Sequence, residues 1–177
     1  MSYKLNQSDL EYTLLNGTYL VLGLLNMDKE VETIPMMYVW DKEKNVIYLH
    51  TSSKKKVVKY LQKNASVSLN IVDAIKLDKD NFTLHYKSII IHGKPKEIID
   101  EVTKRKSMAL VCKKYIGEDY PIEHFQRTYK NTSEVLMVFE ILSKKLVDWG
   151  MKRNKGVLTE LMYIKNMLAK IIKKCII

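Results

Sequence analysis

The stretch VIYLHTSSKKKVVKYLQKNASVSLNIV, Val46 to Val72, carries the pattern on which the fold turns. It opens as a strand: Val46, Ile47, Tyr48 and Leu49 form an unbroken apolar run, as in a strand buried on both faces. It continues as a short helix, with Val57, Val58 and Leu61 on an apolar face and Asn64 as the stop. It closes with SVSLNIV, where polar and apolar residues alternate as in a strand with one buried face. His50, Thr51, Ser52, Ser53, Lys54, Lys55 and Lys56 fill the junction between the first strand and the helix. A helix start collects unpaired backbone N–H groups, and the helix dipole adds about half a positive charge there. Hydroxyls and lysines at such a point suit a phosphate. The residues alone leave two readings open: a solvated turn capped by Ser52 or Ser53, or a cradle for an anion. The lysines oppose the dipole at about a few tenths of a kcal/mol each, a cost that a bound anion would remove. The chain has neither a Walker-type loop nor GxGxxG, so an ATPase loop and a dinucleotide fold are both excluded.

Outward from this stretch, SDLEYTLLNG reads as a helix with Ser8 as N-cap, Glu11 completing a capping box, and Asn16-Gly17 as its end. TYLVLGLLN and ETIPMMYVW read as strands, with Pro35 marking an edge or a bulge. DAIKLDKDN reads as a charged loop, and FTLHYKSIIIHGK as a long strand ending at Gly93. KEIIDEVTKRKSMALVCKKYIG reads as a helix, and PIEHFQRTYKN as a short helix or loop. SEVLMVFEILSKKLVDW reads as a last strand, bulged near Ser143. In the final 22 residues, GVLTELMYIKNMLAKIIKKCII, an apolar stripe of Leu161, Ile164, Leu168, Ile171 and Cys175 lies apart from Lys165, Lys170, Lys173 and Lys174. Six strands, mostly sequential and joined by turns or single helices, make an α+β protein on a small antiparallel β-barrel rather than a parallel sheet.

Composition narrows the function classes. The net charge of +10 favours anionic partners. Of the 30 lysines and arginines, only Arg105, Arg127 and Arg153 are arginines, which argues against sequence-specific nucleic-acid binding. No apolar run is long enough for a membrane span, and the N-terminus lacks the apolar core of a signal peptide, so the expected location is cytoplasmic. Cys112 and Cys175 form no Cys-x-x-Cys pair, and His85, His92 and His124 have no metal-ligand spacing, so no metal site is expected.

The Val46–Val72 stretch resembles the FMN-binding split-barrel superfamily named after pyridoxamine 5'-phosphate oxidase, and most of all its nitroimidazole-resistance branch. The matching residues are His50 at a strand end, Lys56, Leu61, and Asn64 before the next strand. A second block, FTLHYKSIIIHGKPKEIIDEVTKRKSMALV, matches at Tyr86, Ser88 and Gly93, and Gly23 and Pro35 fall in order before both. The resemblance covers roughly residues 8 to 150. The arginine-and-histidine cluster that grips substrate in pyridoxamine-phosphate oxidases is missing; DWGMKRN is its nearest counterpart. That argues against pyridoxamine-phosphate oxidation and leaves FMN binding untouched.

The resemblance implies a six-stranded antiparallel split β-barrel with flanking helices over residues 1–155, followed by a C-terminal amphipathic helix over 156–177, packed on the domain or on a dimer partner. It implies a homodimer with FMN in the groove between subunits. The FMN phosphate would lie at Thr51, Ser52, Ser53 and Lys56, and Met36, Met37 and Tyr38 would lie along the flavin, partly through backbone groups. Tyr86 and Ser88 would line the same groove, and Trp149 would reach the partner's flavin. His50 would contact flavin or substrate and is the candidate catalytic residue. The implied activity is FMN-dependent reduction of a small organic molecule, a nitroaromatic being one candidate. The alternative is a non-enzymatic flavin or haem carrier or sensor.

Overall fold

The computed structural model describes residues 2–151, with side-chain surroundings for 4–142. The expected C-terminal helix lies outside the described residues. The elements, in chain order, are β1 (Ser2–Tyr3), α1 (Gln7–Asn16), β2 (Leu20–Leu25), β3 (Val31–Met36), β4 (Tyr38–Asp41), β5 (Val46–Ser52), α2 (Lys56–Lys63), β6 (Val67–Asp78), β7 (Thr83–Glu97), α3 (Glu101–Tyr115), α4 (Ile122–Thr132) and β8 (Leu136–Met151). The fold is α+β, as the sequence suggests.

Seven strands form one continuous order, β3-β2-β6-β7-β8-β5-β4, and the two-residue β1 adds to β8. Every pairing is antiparallel. The count exceeds the expected six because ETIPMMYVW is not one strand. It breaks at Met37 into β3 and β4, which stand at opposite ends of the strand order. Only one residue separates Met36 from Tyr38, so the two sheet edges must meet there, and the sheet curls into a barrel that stays unzipped along that seam. Pro35 lies on edge strand β3, where a missing N–H costs no interior ladder bond.

The barrel interior is a single core. Leu20, Leu22, Leu49, Leu69, Ile71, Ile89, Phe139 and Ile141 are almost wholly buried in it, and Leu14 of α1 and Leu61 of α2 close it. A second core forms outside the barrel, where Val46, Tyr48, Leu136 and Val138 pack with Val111 of α3 and with Phe125 and Tyr129 of α4. Strand β5 therefore serves both cores, Ile47 and Leu49 inward and Val46 and Tyr48 outward, which is the physical origin of its unbroken apolar run.

Other boundaries differ from expectation. The first helix is capped by Asn6, whose Oδ1 accepts the Asp9 N–H at 2.7 Å, so Ser8 falls inside the helix. Strand β7 does not end at Gly93 but runs to Glu97. A Cβ at Gly93 would come within 2.5 Å of Ile141 Cγ2 and 2.6 Å of the Leu142 carbonyl oxygen, so the glycine permits close strand contact rather than a stop. Opposite it, His92 faces Lys145 while Gly93 faces Ser143, which leaves Lys144 as the extra residue of a bulge beside Ser143. Most of the expected charged loop DAIKLDKDN is strand: β6 continues past a bulge between Asp73 and Lys76 to Asp78, paired with β7 as an arm. Its alternation of Ile75, Lys76, Leu77 and Asp78 has a strand's period despite the charge. Among the described residues, no helix is long and apolar enough to cross a membrane.

Candidate functional site

The junction that opens α2 forms one wall of a groove of about 530 Å³. Its lining combines His50 and Thr51 from the end of β5, Lys55, Lys56 and Val57 from the start of α2, and Glu32, Ile34, Pro35, Met36 and Met37 along β3 and the seam. The seam places the site: where β3 and β4 part at Met37, the barrel edge is open and the α2 N-terminus faces the gap.

The turn itself is held by the main chain. The Ser53 N–H donates to the Val135 carbonyl at 2.7 Å, and the Lys55 N–H donates to the Ser52 carbonyl at 2.9 Å. Neither serine caps the helix. Lys55 is the N-cap and gives no side-chain cap bond, while Ser52 Oγ accepts the Lys54 N–H at 3.3 Å inside the turn. The cause is position: Ser52 and Ser53 lie three and two residues before the N-cap, too early to reach the first-turn N–H groups. The helix thus starts with uncapped N–H groups and no acidic residue in its first turn, beside two exposed lysines.

His50 lies opposite Val138 on β8 and is largely buried. Its Nδ1 is shielded from solvent and has no hydrogen-bond partner. Burial holds the imidazole below its ordinary pKa of 6.5, so the ring is neutral at pH 7, with one nitrogen able to donate and the other to accept. A buried polar atom without a partner costs about 1–3 kcal/mol. His50 as a residue lines a groove that also presents two ammonium groups, a hydroxyl and a helix start. The opposite wall is apolar at Ile34, Pro35, Met36 and Met37 and carries one carboxylate, Glu32. Such a groove suits a ligand with an anionic end and a flat apolar body.

The groove thus gathers Met36, Met37, His50, Thr51 and Lys56 of the expected site residues. Ser52 and Ser53 belong to the same turn but not to the groove lining. Tyr38 turns away: its ring is fully buried, and its hydroxyl donates toward the Leu14 carbonyl at 2.9 Å and the Thr13 carbonyl at 3.2 Å. Its backbone is engaged as well, because the Tyr115 hydroxyl accepts the Tyr38 N–H and donates to the Tyr38 carbonyl, both at 3.0 Å. Ser88 is buried and donates to Asn70 Oδ1 at 3.1 Å. Tyr86 faces Met151, and Ser88 faces Trp149, at the far end of β8 from the turn. The β8 partner of Ser52 is Leu136, and the 13 residues from there to Trp149 span about 43 Å of extended strand before curvature. The expected residues therefore form two separate groups within one chain. The side chain of Trp149 lies outside the described surroundings.

Lys55, part of the junction but not of the site that the resemblance implies, lines the groove. One contribution escaped the sequence. Lys114 reads as an ordinary lysine near a helix C-terminus; its Nζ lies 3.3 Å from the centroid of the Tyr38 ring, buried and without a hydrogen-bond partner. Burial lowers its pKa from 10.5 to about 8. With Tyr115 it braces the seam from behind. The run KKY gives no hint of this, because the contact depends on how α3 docks on β4.

The family model described as Pyridoxamine 5'-phosphate oxidase matches residues 7–143. Among solved structures, a candidate 5-nitroimidazole antibiotic resistance protein from Bacteroides thetaiotaomicron aligns with a TM-score of 0.70 at 16% identity, over 85% of this chain and 89% of that one. The flavocytochrome Anf3 from Azotobacter vinelandii aligns at 0.68 and 16%, over 86% and 70%. The haem storage protein HutZ from Vibrio cholerae aligns at 0.59 and 14%, over 80% and 92%. At these identities the likeness concerns the fold. No curated protein matches the sequence.

Proposed function

Because the chain belongs to the pyridoxamine 5'-phosphate oxidase family, we propose that it binds FMN in the groove at the α2 N-terminus and acts as an FMN-dependent oxidoreductase on a small organic molecule. One observation carries this reading: His50, the start of α2 with no side-chain cap, Thr51, Lys55 and Lys56 line one side of a groove whose other wall is apolar apart from Glu32. Lys56, Lys55, Thr51 and the first-turn N–H groups would hold the phosphate, with the hydroxyls of Ser52 and Ser53 beside them. Met36 and Met37 would flank the ring and exclude water from one side of it. FMN bound there would supply the redox chemistry, and the protein supplies position and charge. His50, neutral at pH 7, is the residue able to hand over or accept a proton at the groove wall. Tyr38 would contribute by setting the seam, since its hydroxyl and its backbone are both committed elsewhere.

Tyr86 and Trp149 belong to the far end of β8 and would complete this groove from a second copy, with a homodimer as the functional unit, whereas Ser88 is buried within its own chain. The Bacteroides neighbour makes a nitroaromatic the first substrate to try. The single experiment is to identify the ligand released from purified protein by mass spectrometry, then assay nitroaromatic reduction with NAD(P)H. Released FMN and turnover support the proposal; a preparation that neither carries nor takes up FMN removes it.

One further reading has its own support. A neutral histidine in the groove wall is also a residue that a haem iron would take, and two of the structural neighbours are a flavocytochrome and a haem storage protein. Haem in the released ligand, lost in His50→Ala, would favour a carrier or sensor over the reductase.

A further inference from the structure

We propose that the C-terminal segment of this chain, residues 157–177, packs its apolar stripe onto the exposed face of the β6–β7 arm. This goes beyond the flavin reading and does not depend on it.

Past Ile71, where β2 stops pairing with β6, and past Tyr86, which pairs with the last described residue of β8, the arm has two strands among the described residues. Leu77 and Leu84 are direct cross-strand partners; Ile75 lies in the bulge two residues before Leu77, and Phe82 lies in the turn just before β7. All four are exposed, at 60%, 40%, 63% and 96%. The opposite face, with Lys76, Asp78, Thr83 and His85, is polar, and His85 Nε2 lies 3.2 Å from Asp78 Oδ2. A lone two-stranded hairpin is marginal in water, and a contiguous apolar face on it calls for a cover.

The strand register identifies that cover. Met151 pairs with Tyr86, two residues from Leu84, and β8 runs antiparallel to β7. The chain therefore leaves Met151 heading along the arm toward its tip. The next 26 residues contain the stripe Leu161, Ile164, Leu168, Ile171 and Cys175, with lysines away from it. As a helix, that stripe spans about 21 Å. The arm strand from Asp73 to Asp78 is about 17 Å long. A segment tethered at the base of the arm meets it at a high effective concentration, of millimolar order for a short tether, which favours this chain's own segment over a second copy.

The test is amide hydrogen exchange by mass spectrometry on the full chain without added flavin, over a hundredfold range of protein concentration. The native chain should protect residues 74–84 independently of concentration. In the full-length Ile164→Asp/Leu168→Asp variant, exchange of 74–84 should quicken at least tenfold while β2 and β5 keep their protection. Leu77→Asp, on the arm, should conversely quicken exchange over 160–175, which serves if the first variant does not fold. Three outcomes overturn the proposal: no change in the arm in either variant, protection that grows with protein concentration (a second copy as cover), or protection that appears only with phosphatidylglycerol vesicles (a membrane as cover).

Discussion

The two ends of β8 present opposite problems to the solvent. Near Leu136, across from Ser52, the groove presents polar groups: His50, exposed lysines and a helix start with no side-chain cap. Near Met151, across from Tyr86, the arm has its polar face paired and leaves leucine, isoleucine and phenylalanine uncovered. One end presents groups suited to an anion and the other an exposed apolar face. A ligand site and a docking surface differ in what they leave unsatisfied, and the sheet between them keeps the two apart.

That separation can be broken or sharpened by mutation. Phe139→Ala attacks the middle of the ladder, where Phe139 is 1% exposed and pairs with both Leu49 and Glu97. Urea unfolding should show a loss of about 3–5 kcal/mol, and both ends should suffer together. Gly93→Ala forces a Cβ against Ile141 and the Leu142 backbone, and the same measurement should show a loss of about 1–3 kcal/mol. A neutral result would mean that the β7–β8 contact is looser than its register implies.

At the groove end alone, Lys56→Ala should weaken FMN binding by about tenfold or more, the loss of one charge-assisted contact, as read by flavin fluorescence titration. Lys54→Ala should stay within about twofold, because Lys54 is outside the groove lining. Equal effects would reduce the cradle to general surface charge. Trp149→Ala should weaken FMN binding several-fold in the assembled pair and leave a diluted monomer unaffected. The same loss in the monomer would contradict the placement of Trp149 at the far end of β8.

The smallest effect belongs to the brace behind the seam. Lys114 has a folded pKa of about 8 against 10.5 when unfolded. Between those values the unfolded chain holds more protons, so native stability rises with pH there. Relative to Lys114→Met, the native chain should gain stability from pH 7 to 9.5, followed by thermal unfolding. A flat difference would mean that Lys114 is hydrated.

Much of this was legible in the sequence, for identifiable reasons. The β5 run showed a strand with two cores because the pattern of one strand reports both of its faces. The groove's cation side was visible because consecutive lysines oppose the dipole at a helix start. The break at Met37 was not visible: ETIPMMYVW has β propensity throughout, and only closure of the barrel forces the corner. The commitment of Tyr38 to Tyr115, Thr13 and Leu14 was hidden too, since those partners are between 24 and 77 residues away. The bulge beside Ser143 could be anticipated, whereas the passage of β7 through Gly93 could not, because a glycine marks a turn and a close contact equally well.

The central claim is that the α2 turn cradles the phosphate of FMN. The most direct measurement titrates FMN and riboflavin, which lacks the phosphate, into the native chain and into Lys56→Ala. The account predicts that the native chain prefers FMN over riboflavin by at least tenfold and that Lys56→Ala removes most of that preference. Equal affinity of the native chain for both flavins, or a preference untouched by the substitution, would contradict it.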